Sequence, residues 1–199
     1  MPAERGEAFG EELLAFEDPD GLSLELVGVA SGDAVAEHAI LGFAHVTLAE
    51  QGYEATARLL TDLMGFHPTG ESANRFRFAL ATSGTATRVE VRCMPDAAAG
   101  RVSVGTVHHV AWRVAGDAEQ REWREHLVGD GLNVTPVLDR QYFRSIHFRE
   151  PGGALFEIAT APPGFTIDEP FDRLGTALKL PAWLEPQRAR IERELPPLG

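Results

Sequence analysis

The chain has 199 residues, of which 44% are hydrophobic and 24% charged, and this composition is typical of a folded protein rather than a disordered one. The formal net charge of −12 repels phosphate backbones, and no apolar run approaches the ~18 residues of a membrane span, so we expect neither nucleic-acid binding nor membrane insertion. The N-terminus lacks the basic and apolar regions of a signal peptide, and the only cysteine, Cys93, excludes an internal disulfide, so we expect a cytoplasmic location.

The first 38 residues are predicted to hold a β-hairpin followed by a linker. Apolar residues of Leu13–Val29 flank Asp18-Pro19-Asp20-Gly21. Proline presets one backbone angle of a turn, and glycine tolerates a positive φ, so this tetrapeptide favours a hairpin turn. Residues 30–38 have the small and polar composition of a linker.

A β-α-β-β-β unit is predicted over residues 39–100. Apolar residues at helical spacing indicate a helix over Gln51–Met64, which Gly65 ends. Strands are predicted at Ile40–Leu48, Arg75–Ala81 and Thr87–Cys93, with a turn at Gly84 between the last two. Residues 95–105 are expected to form a loop.

The same order of elements is predicted again over residues 101–160. Asp117 and Gln120 form a capping-box pattern at the start of a helix that runs to about Val128. Strands are expected at Thr106–Val114, Leu132–Val137, Gln141–Arg149 and Ala154–Thr160, with a turn at Glu150–Gly153 before the last. Residues 161–199 form a proline-rich tail with a short helix over Pro181–Leu195.

The two units also repeat in residues, which indicates a duplicated module. His45 aligns with His109, and the turn before Glu25 aligns with the Pro-Gly-Gly turn before Glu157. We therefore expect an α+β fold in which two paired modules form a curved, mostly antiparallel sheet around a metal site. Equivalent strand positions of paired modules converge near a pseudo-twofold axis.

Two imidazoles and one carboxylate at such a convergence match the facial triad of a non-haem Fe(II) site. We therefore predict His45, His109 and Glu157 as metal ligands. Fe(II) is the expected metal, although the same ligands also suit Mn, Co, Ni or Zn. Glu90, on the last strand of the first module, remains open as a further ligand.

Several segments resemble the vicinal-oxygen-chelate superfamily of glyoxalases, bleomycin-resistance proteins and extradiol dioxygenases. Its hydroquinone-cleaving dioxygenases are similar to this chain from about residue 105 to 185. The segments are Gly105-Thr-Val-His-His-Val-Ala-Trp112, Asp139-Arg-Gln-Tyr-Phe-Arg-Ser-Ile146, Phe148-Arg-Glu-Pro-Gly-Gly153, Leu155-Phe-Glu-Ile-Ala-Thr160, Pro162-Pro-Gly-Phe165 and Leu178-Lys-Leu-Pro-Ala-Trp-Leu-Glu185.

The resemblance implies that this chain holds the end of a second module and complete third and fourth modules. It implies His109 and Glu157 as metal ligands, with a third histidine supplied by the first module. The first module is missing here, and residues 1–38 are interpreted as the residual hairpin of the second module followed by the linker. We hypothesise that His45 replaces the missing ligand, and we assign Glu25 a structural role.

Three further residues are expected around the metal. His147 should face Glu157 across a hairpin, where relatives carry a tyrosine, and could act as an acid or base. The resemblance implies that Arg140 binds the phenolate of the substrate. It also implies a supporting role for His108, although strand alternation points its side chain away from the face of His109.

The function predicted from these residues is an extradiol-type ring-cleaving dioxygenase that acts on a catechol or hydroquinone-like aromatic with O₂. The alternatives are a small-molecule binding protein of the resistance type, an isomerase or lyase of the same superfamily, and an inactive fragment. The leading hairpin would leave an edge strand that needs cover, so we also expect a homodimer.

Overall fold

The computed structural model describes residues 2–28, 39–81, 87–98 and 100–196. The linker expected at 30–38 and the turn at Gly84 lie outside these residues. No helix in the described part of the chain is long and apolar enough to cross a membrane.

Residues 3–27 form a three-stranded antiparallel sheet rather than a hairpin alone. Its strands are β1 (Ala3–Ala8), β2 (Glu11–Glu17) and β3 (Ser23–Val27). The predicted hairpin is confirmed as β2 and β3, because the Asp18 carboxylate accepts hydrogen bonds from the Asp20 and Leu22 amides and so closes the turn. The additional strand β1 is mostly exposed and polar, so it carries no alternating apolar signal.

The first module has the predicted β-α-β-β-β order. Its elements are β4 (Val46–Glu50), α1 (Glu54–Arg58), β5 (His67–Ser72), β6 (Arg75–Ala79) and β7 (Arg88–Cys93). A π-helical turn at Leu59–Leu63 extends α1 toward Gly65, whose φ of +75° ends the predicted helix. The described residues before Val46 are outside the strand, which is therefore shorter than predicted.

The second module repeats this order. Its elements are β8 (Val110–Val114), α2 (Asp117–Gly129), β9 (Leu138–Asp139), β10 (Arg144–Arg149) and β11 (Leu155–Thr160). The strand predicted at Leu132–Val137 is irregular, and only the two residues of β9 pair with β10. Strand β8 starts later than predicted, so residues 106–109 precede it.

The capping box predicted for α2 is wrong. Gly116 occupies the N-cap, and no side chain caps it. Instead Gln120 is buried, and its Nε2 donates to the carbonyl oxygens of Arg144 and Ile158, each at 2.8 Å. The sheet carbonyls therefore hold this side chain, and Glu119 accepts a hydrogen bond from the Ala115 amide.

Both modules have the same strand order, which confirms the duplication. The sheets are β4-β7-β6-β5 and β8-β11-β10-β9, and in each the first and last strands of the module pair in parallel. The expected α+β fold is thus confirmed, with one four-stranded mixed sheet per module.

A shared core joins the modules. Buried residues of both belong to one hydrophobic cluster, and Phe66 of the first module contacts Trp112 of the second edge to face, with ring centroids 5.4 Å apart. The tail adds short 3₁₀ turns and α3 (Arg188–Glu194), which lies within the helix predicted at Pro181–Leu195.

The N-terminal sheet lies against the first module. The ring of Phe9 stacks under the guanidinium of Arg77, 3.9 Å from its carbon. At the hairpin turn, the backbone of Asp20 contacts Gly105 so closely that no Cβ fits there. Residues of the N-terminal sheet therefore contact β6 and the loop that leads to β8.

Candidate functional site

Glu157 is the centre of a cluster of imidazoles in the second module. The strand register pairs it with Ala111 of β8 on one side and with His147 of β10 on the other. Its side chain is 6% exposed. Strand pairing therefore places the nearly buried carboxylate of Glu157 beside His147, and the expected pairing of these two residues across the hairpin is present.

His109 completes the cluster from the residue just before β8. Its Nε2 lies 2.9 Å from Glu157 Oε2, and His147 Nε2 lies 3.3 Å from Glu157 Oε1. The rings of His109 and His147 are 6.0 Å apart and nearly perpendicular. One carboxylate thus contacts two imidazole nitrogens, and His109 remains 35% exposed to solvent.

His108 belongs to the same cluster, contrary to the orientation expected from strand alternation. Its Nδ1 lies 2.9 Å from His109 Nδ1, and the two rings meet edge to face. The alternation argument fails because β8 begins only at Val110, so neither histidine is in the strand.

His147 is held firmly by its backbone. Its amide donates to Thr135 Oγ1, and its carbonyl accepts from the Thr135 amide. Burial lowers the pKa of His147, the charge of Glu157 opposes that shift, and Arg140, His109 and His108 lower it further.

Arg140 is exposed and directly follows β9, in the turn that leads to β10. Its Nε donates to Ser145 Oγ at 3.2 Å, and its amide donates to the carbonyl of Phe143. Its charge lowers the pKa of His147. The guanidinium nitrogens of Arg140 have no acidic partner in the described residues.

The structure does not bring His45 to His109 and Glu157. Its Nε2 instead lies 3.5 Å from Glu25 Oε2 and 3.6 Å from Glu90 Oε1, and the side chain is 5% exposed. In the described residues, the carboxylates that contact His45 are thus Glu25 and Glu90, and His45, His109 and Glu157 do not form one metal-binding group.

Arginines surround the carboxylates of this second cluster. Arg75 bridges Glu25 and Glu90, with its Nη1 at 3.1 and 3.0 Å, and its Nη2 pairs closely with Glu25. Arg77 pairs with Glu90 and Glu11. Hydrogen bonding from His45 and Arg75 lowers the pKa of Glu25 to about 2, although burial opposes this shift.

Sequence reasoning missed both arginines as cluster members. Arg75 and Arg77 alternate with apolar residues on β6, so both side chains leave the same face of the strand. Extending the repeat alignment to β6 would have placed Arg77 opposite Glu90, as His147 is opposite Glu157.

The donor set of the second-module cluster fits a metal ion in part. Neighbouring ligands of an octahedral ion at ~2.1 Å lie about 3 Å apart, and His109 Nε2 and Glu157 Oε2 have that spacing, at 2.9 Å. Within the described residues, no group of three or more His, Cys, Asp or Glu is arranged to hold a metal ion. The described site thus offers two donors at ligand spacing and a third imidazole nearby.

Sequence comparison matches residues 42–158 to the Glyoxalase/Bleomycin resistance protein/Dioxygenase superfamily. The "Putative ring-cleaving dioxygenase MhqO" of Bacillus subtilis (strain 168) is 39% identical over 205 residues, covering 99% of this chain and 65% of its own length. The "Chlorohydroquinone/hydroquinone 1,2-dioxygenase" of Sphingobium indicum is 30% identical over 204 residues, covering 95% of this chain and 63% of its own length. The chain thus spans about two thirds of these relatives at most.

The comparison with solved structures agrees with the comparison of sequences. A crystal structure named "putative dioxygenase" from Bacillus subtilis subsp. subtilis str. 168 matches with a TM-score of 0.86 and 39% sequence identity. The match covers 100% of this chain and 66% of the chain in that crystal structure. The structure of a glyoxylase/bleomycin resistance protein/dioxygenase domain from Frankia sp. EAN1pec matches with a TM-score of 0.54 and 15% sequence identity. This match covers 63% of this chain and 96% of the Frankia domain. The second likeness concerns the fold alone.

Proposed function

The chain belongs to the Glyoxalase/Bleomycin resistance protein/Dioxygenase superfamily, and on that premise we propose that it is a metal-dependent ring-cleaving dioxygenase. Its substrates would be O₂ and a catechol- or hydroquinone-like aromatic. The observation that carries the proposal is the cluster of His109, His147 and Glu157 in the second module, where Glu157 contacts both imidazoles. The names of the similar proteins support the reaction class.

His109 Nε2 and Glu157 would hold the metal, and His147 is the nearest further donor. When bound, Fe(II) supplies Lewis acidity and redox chemistry toward O₂. Mn, Co, Ni or Zn suit the same nitrogen and oxygen donors. His45 is not a ligand in this proposal, because Glu25 and Glu90 surround it.

The surrounding residues would bind and orient the aromatic. Arg140 has no acidic partner in the described residues, so its guanidinium is free to attract a phenolate oxygen. His108 contacts Nδ1 of His109 and thereby orients that ring, as partners of metal-bound histidines commonly do. His147 Nε2, on the same side of Glu157, is placed to exchange a proton with a substrate hydroxyl.

The proposal includes a homodimer in which a second copy contributes to the site. Exposed apolar side chains lie directly before the histidines, with Val104 78% and Val107 61% exposed. A second copy placed there would bury this surface and bring further donors to His109 and Glu157. We also propose a cytoplasmic location, supported by the free thiol of Cys93.

The test is metal content and O₂ consumption of protein purified without oxygen and supplied with Fe(II). We expect about one iron per site and O₂ uptake with a hydroquinone or catechol. His109→Ala and Glu157→Ala should lose both, whereas His45→Ala should keep the metal. His126→Ala changes an exposed histidine of α2 and is the matched control.

Wild-type protein that takes up no metal from Fe(II) would contradict the proposal. Tight binding of an aromatic by such metal-free protein, measured by calorimetry, would instead support the resistance-type binding protein. Bound iron with turnover of a vicinal-oxygen substrate but no O₂ uptake would support the isomerase or lyase.

A further inference from the structure

The side chain of Arg140 lies on the face of β10 that carries the candidate site. Its Nε donates to Ser145 Oγ at 3.2 Å, and Ser145 is fully buried. Side chains two residues apart leave the same face of a strand, so Ser145 and His147 share one face of β10. Glu157 pairs with His147 in the register of β10 and β11, so its carboxylate belongs to that face as well. The contact with Ser145 therefore holds Arg140 on the face of the imidazole cluster.

Arg140 belongs to a tight turn whose backbone needs support from outside. The Tyr142 amide donates to the Arg140 carbonyl at 2.8 Å, and the Arg140 amide donates to the Phe143 carbonyl at 2.9 Å. Between them, Gln141 has a φ of +69°, in a region that residues with a Cβ rarely adopt. Such a conformation persists only where surrounding contacts hold it.

The tail supplies those contacts from residues 164–168. Asp168 Oδ2 accepts a hydrogen bond from the Tyr142 hydroxyl at 2.9 Å and lies 3.5 Å from Gln141 Nε2. The Gly164 amide donates to the Tyr142 carbonyl at 2.8 Å. This part of the tail therefore holds the two residues that follow Arg140, through both backbone and side chain.

Asp168 is the side chain through which the tail holds this turn. It is exposed, and among the described residues the hydrogen-bond partners of its carboxylate are Tyr142 and Gln141. The hydrogen bond with Asp168 raises the pKa of Tyr142, so the phenol keeps the proton that it donates. The Tyr142 ring also packs beside Phe165, with the ring centroids 4.9 Å apart. Removing the carboxylate should therefore loosen the turn and leave the core unchanged.

We propose that Asp168 is a positioning residue for Arg140, which it acts on by holding the turn of residues 139–143 closed. The inference rests on the proposed function, in which Arg140 binds a phenolate oxygen. The tail then contributes to substrate affinity without touching the substrate. Without Asp168 the turn would adopt other conformations for part of the time, and the apparent affinity would fall with the fraction that remains closed.

The test measures the affinity for 4-nitrophenolate by absorption titration, on protein supplied with Fe(II) and kept without oxygen. Arg140→Met should weaken binding about tenfold, because it removes a charged hydrogen-bond donor. Asp168→Ala should weaken binding about threefold, through a partly open turn. Asp168→Asn should stay close to the wild type, since its amide oxygen still accepts from Tyr142. Asp172→Ala changes another exposed aspartate of the tail and is the matched control.

The double variant Arg140→Met/Asp168→Ala distinguishes positioning from a general structural effect. If Asp168 acts through Arg140, the double variant should bind 4-nitrophenolate no more weakly than Arg140→Met alone. Additive losses would overturn the proposal, and so would wild-type affinity in Asp168→Ala. Circular dichroism checks that each variant is folded. Tyr142→Phe removes the same hydrogen bond from the turn and should also weaken binding about threefold, which keeps the test decisive if Asp168→Ala does not fold.

The titration needs no turnover, so it separates this inference from the proposed reaction. A phenolate affinity that depends on Arg140 and Asp168, in a wild type without O₂ uptake, would support the positioning role and contradict the dioxygenase. O₂ uptake by a wild type that binds 4-nitrophenolate no better than Arg140→Met would support the dioxygenase and overturn the positioning role.

Discussion

At the scale of residues, a buried threonine between two carboxyl groups fixes the position of a proton. Thr56 Oγ1 lies 2.7 Å from Glu50 Oε2 and 2.6 Å from Glu150 Oε2. One hydroxyl has one proton to donate, so the second short contact requires a proton on a carboxyl group. Glu150 already accepts hydrogen bonds from the amides of Gly152 and Ala154. Burial raises the pKa of Glu50, so Glu50 is the group that takes up this proton as the pH falls.

Burial, and then the charge of Glu150, raise the pKa of Glu50 to about 7, while its hydrogen bond with Thr56 opposes the shift. The folded state thus binds more protons than the unfolded state between pH 4.5 and about 7, and the free energy of unfolding falls as the pH rises through that interval. Glu50→Gln should remove this dependence and raise the free energy of unfolding at pH 8 by about 1–3 kcal/mol. Urea unfolding across pH 4–8 measures both effects.

Glu54→Gln is the matched control for that prediction, because Glu54 is exposed at the start of α1. It should leave the pH dependence of the wild type unchanged. A wild-type stability that rises between pH 4.5 and 7, with no difference in Glu50→Gln, would show that Glu50 is ionised in the folded protein.

At the scale of elements, one buried amide side chain supplies two hydrogen bonds from helix α2 to the strands beneath it. Gln120 is 1% exposed, and its two donor hydrogens reach carbonyls of β10 and β11. Gln120→Met keeps the length but leaves both carbonyls unpaired, which should lower the free energy of unfolding by about 2–3 kcal/mol. Gln120→Glu should cost more, since a carboxylate would face carbonyl oxygens. The exposed control Glu122→Met should change stability little, and a similar loss in both methionine variants would refute this role.

The N-terminal sheet meets the loop before β8 at Gly105. Gly105 has a φ of +79°, and a Cβ there would collide with the Asp20 carbonyl oxygen. Gly131→Ala tests the positive φ alone, because Gly131 has a φ of +87° and open space around it, and should cost about 1 kcal/mol. Gly105→Ala adds the collision and should cost about 3 kcal/mol. Equal losses of thermal stability in the two variants would mean that the contact with Asp20 is not maintained in solution.

At the scale of the whole molecule, the proposed dimer and the proposed metal site depend on the same surface. Val107 is 61% exposed, two residues before His109. Val107→Asp should convert a dimer to a monomer in light scattering and lower the metal content. Val128→Asp, at the exposed end of α2, should leave both unchanged. A wild-type protein that is monomeric at high micromolar concentration and still binds iron would show that one chain completes its own site.

The sequence by itself determined the two modules, the turn of the hairpin and the pairing of His147 with Glu157. These features follow from local chemistry and from period-2 and period-3.6 patterns that repeat along the chain. It also placed His45 and His109 at equivalent positions, which the register of both sheets confirms.

Only the tertiary structure decided that these equivalent positions form two clusters rather than one triad. The alignment of two modules shows which residues correspond, but not which module packs against which partner. The pairing of His45 with Glu25 depends on the N-terminal sheet lying against the first module, and Arg75 from β6 closes that cluster. These are contacts between segments far apart in the chain, and their geometry is set by packing, which no local pattern encodes.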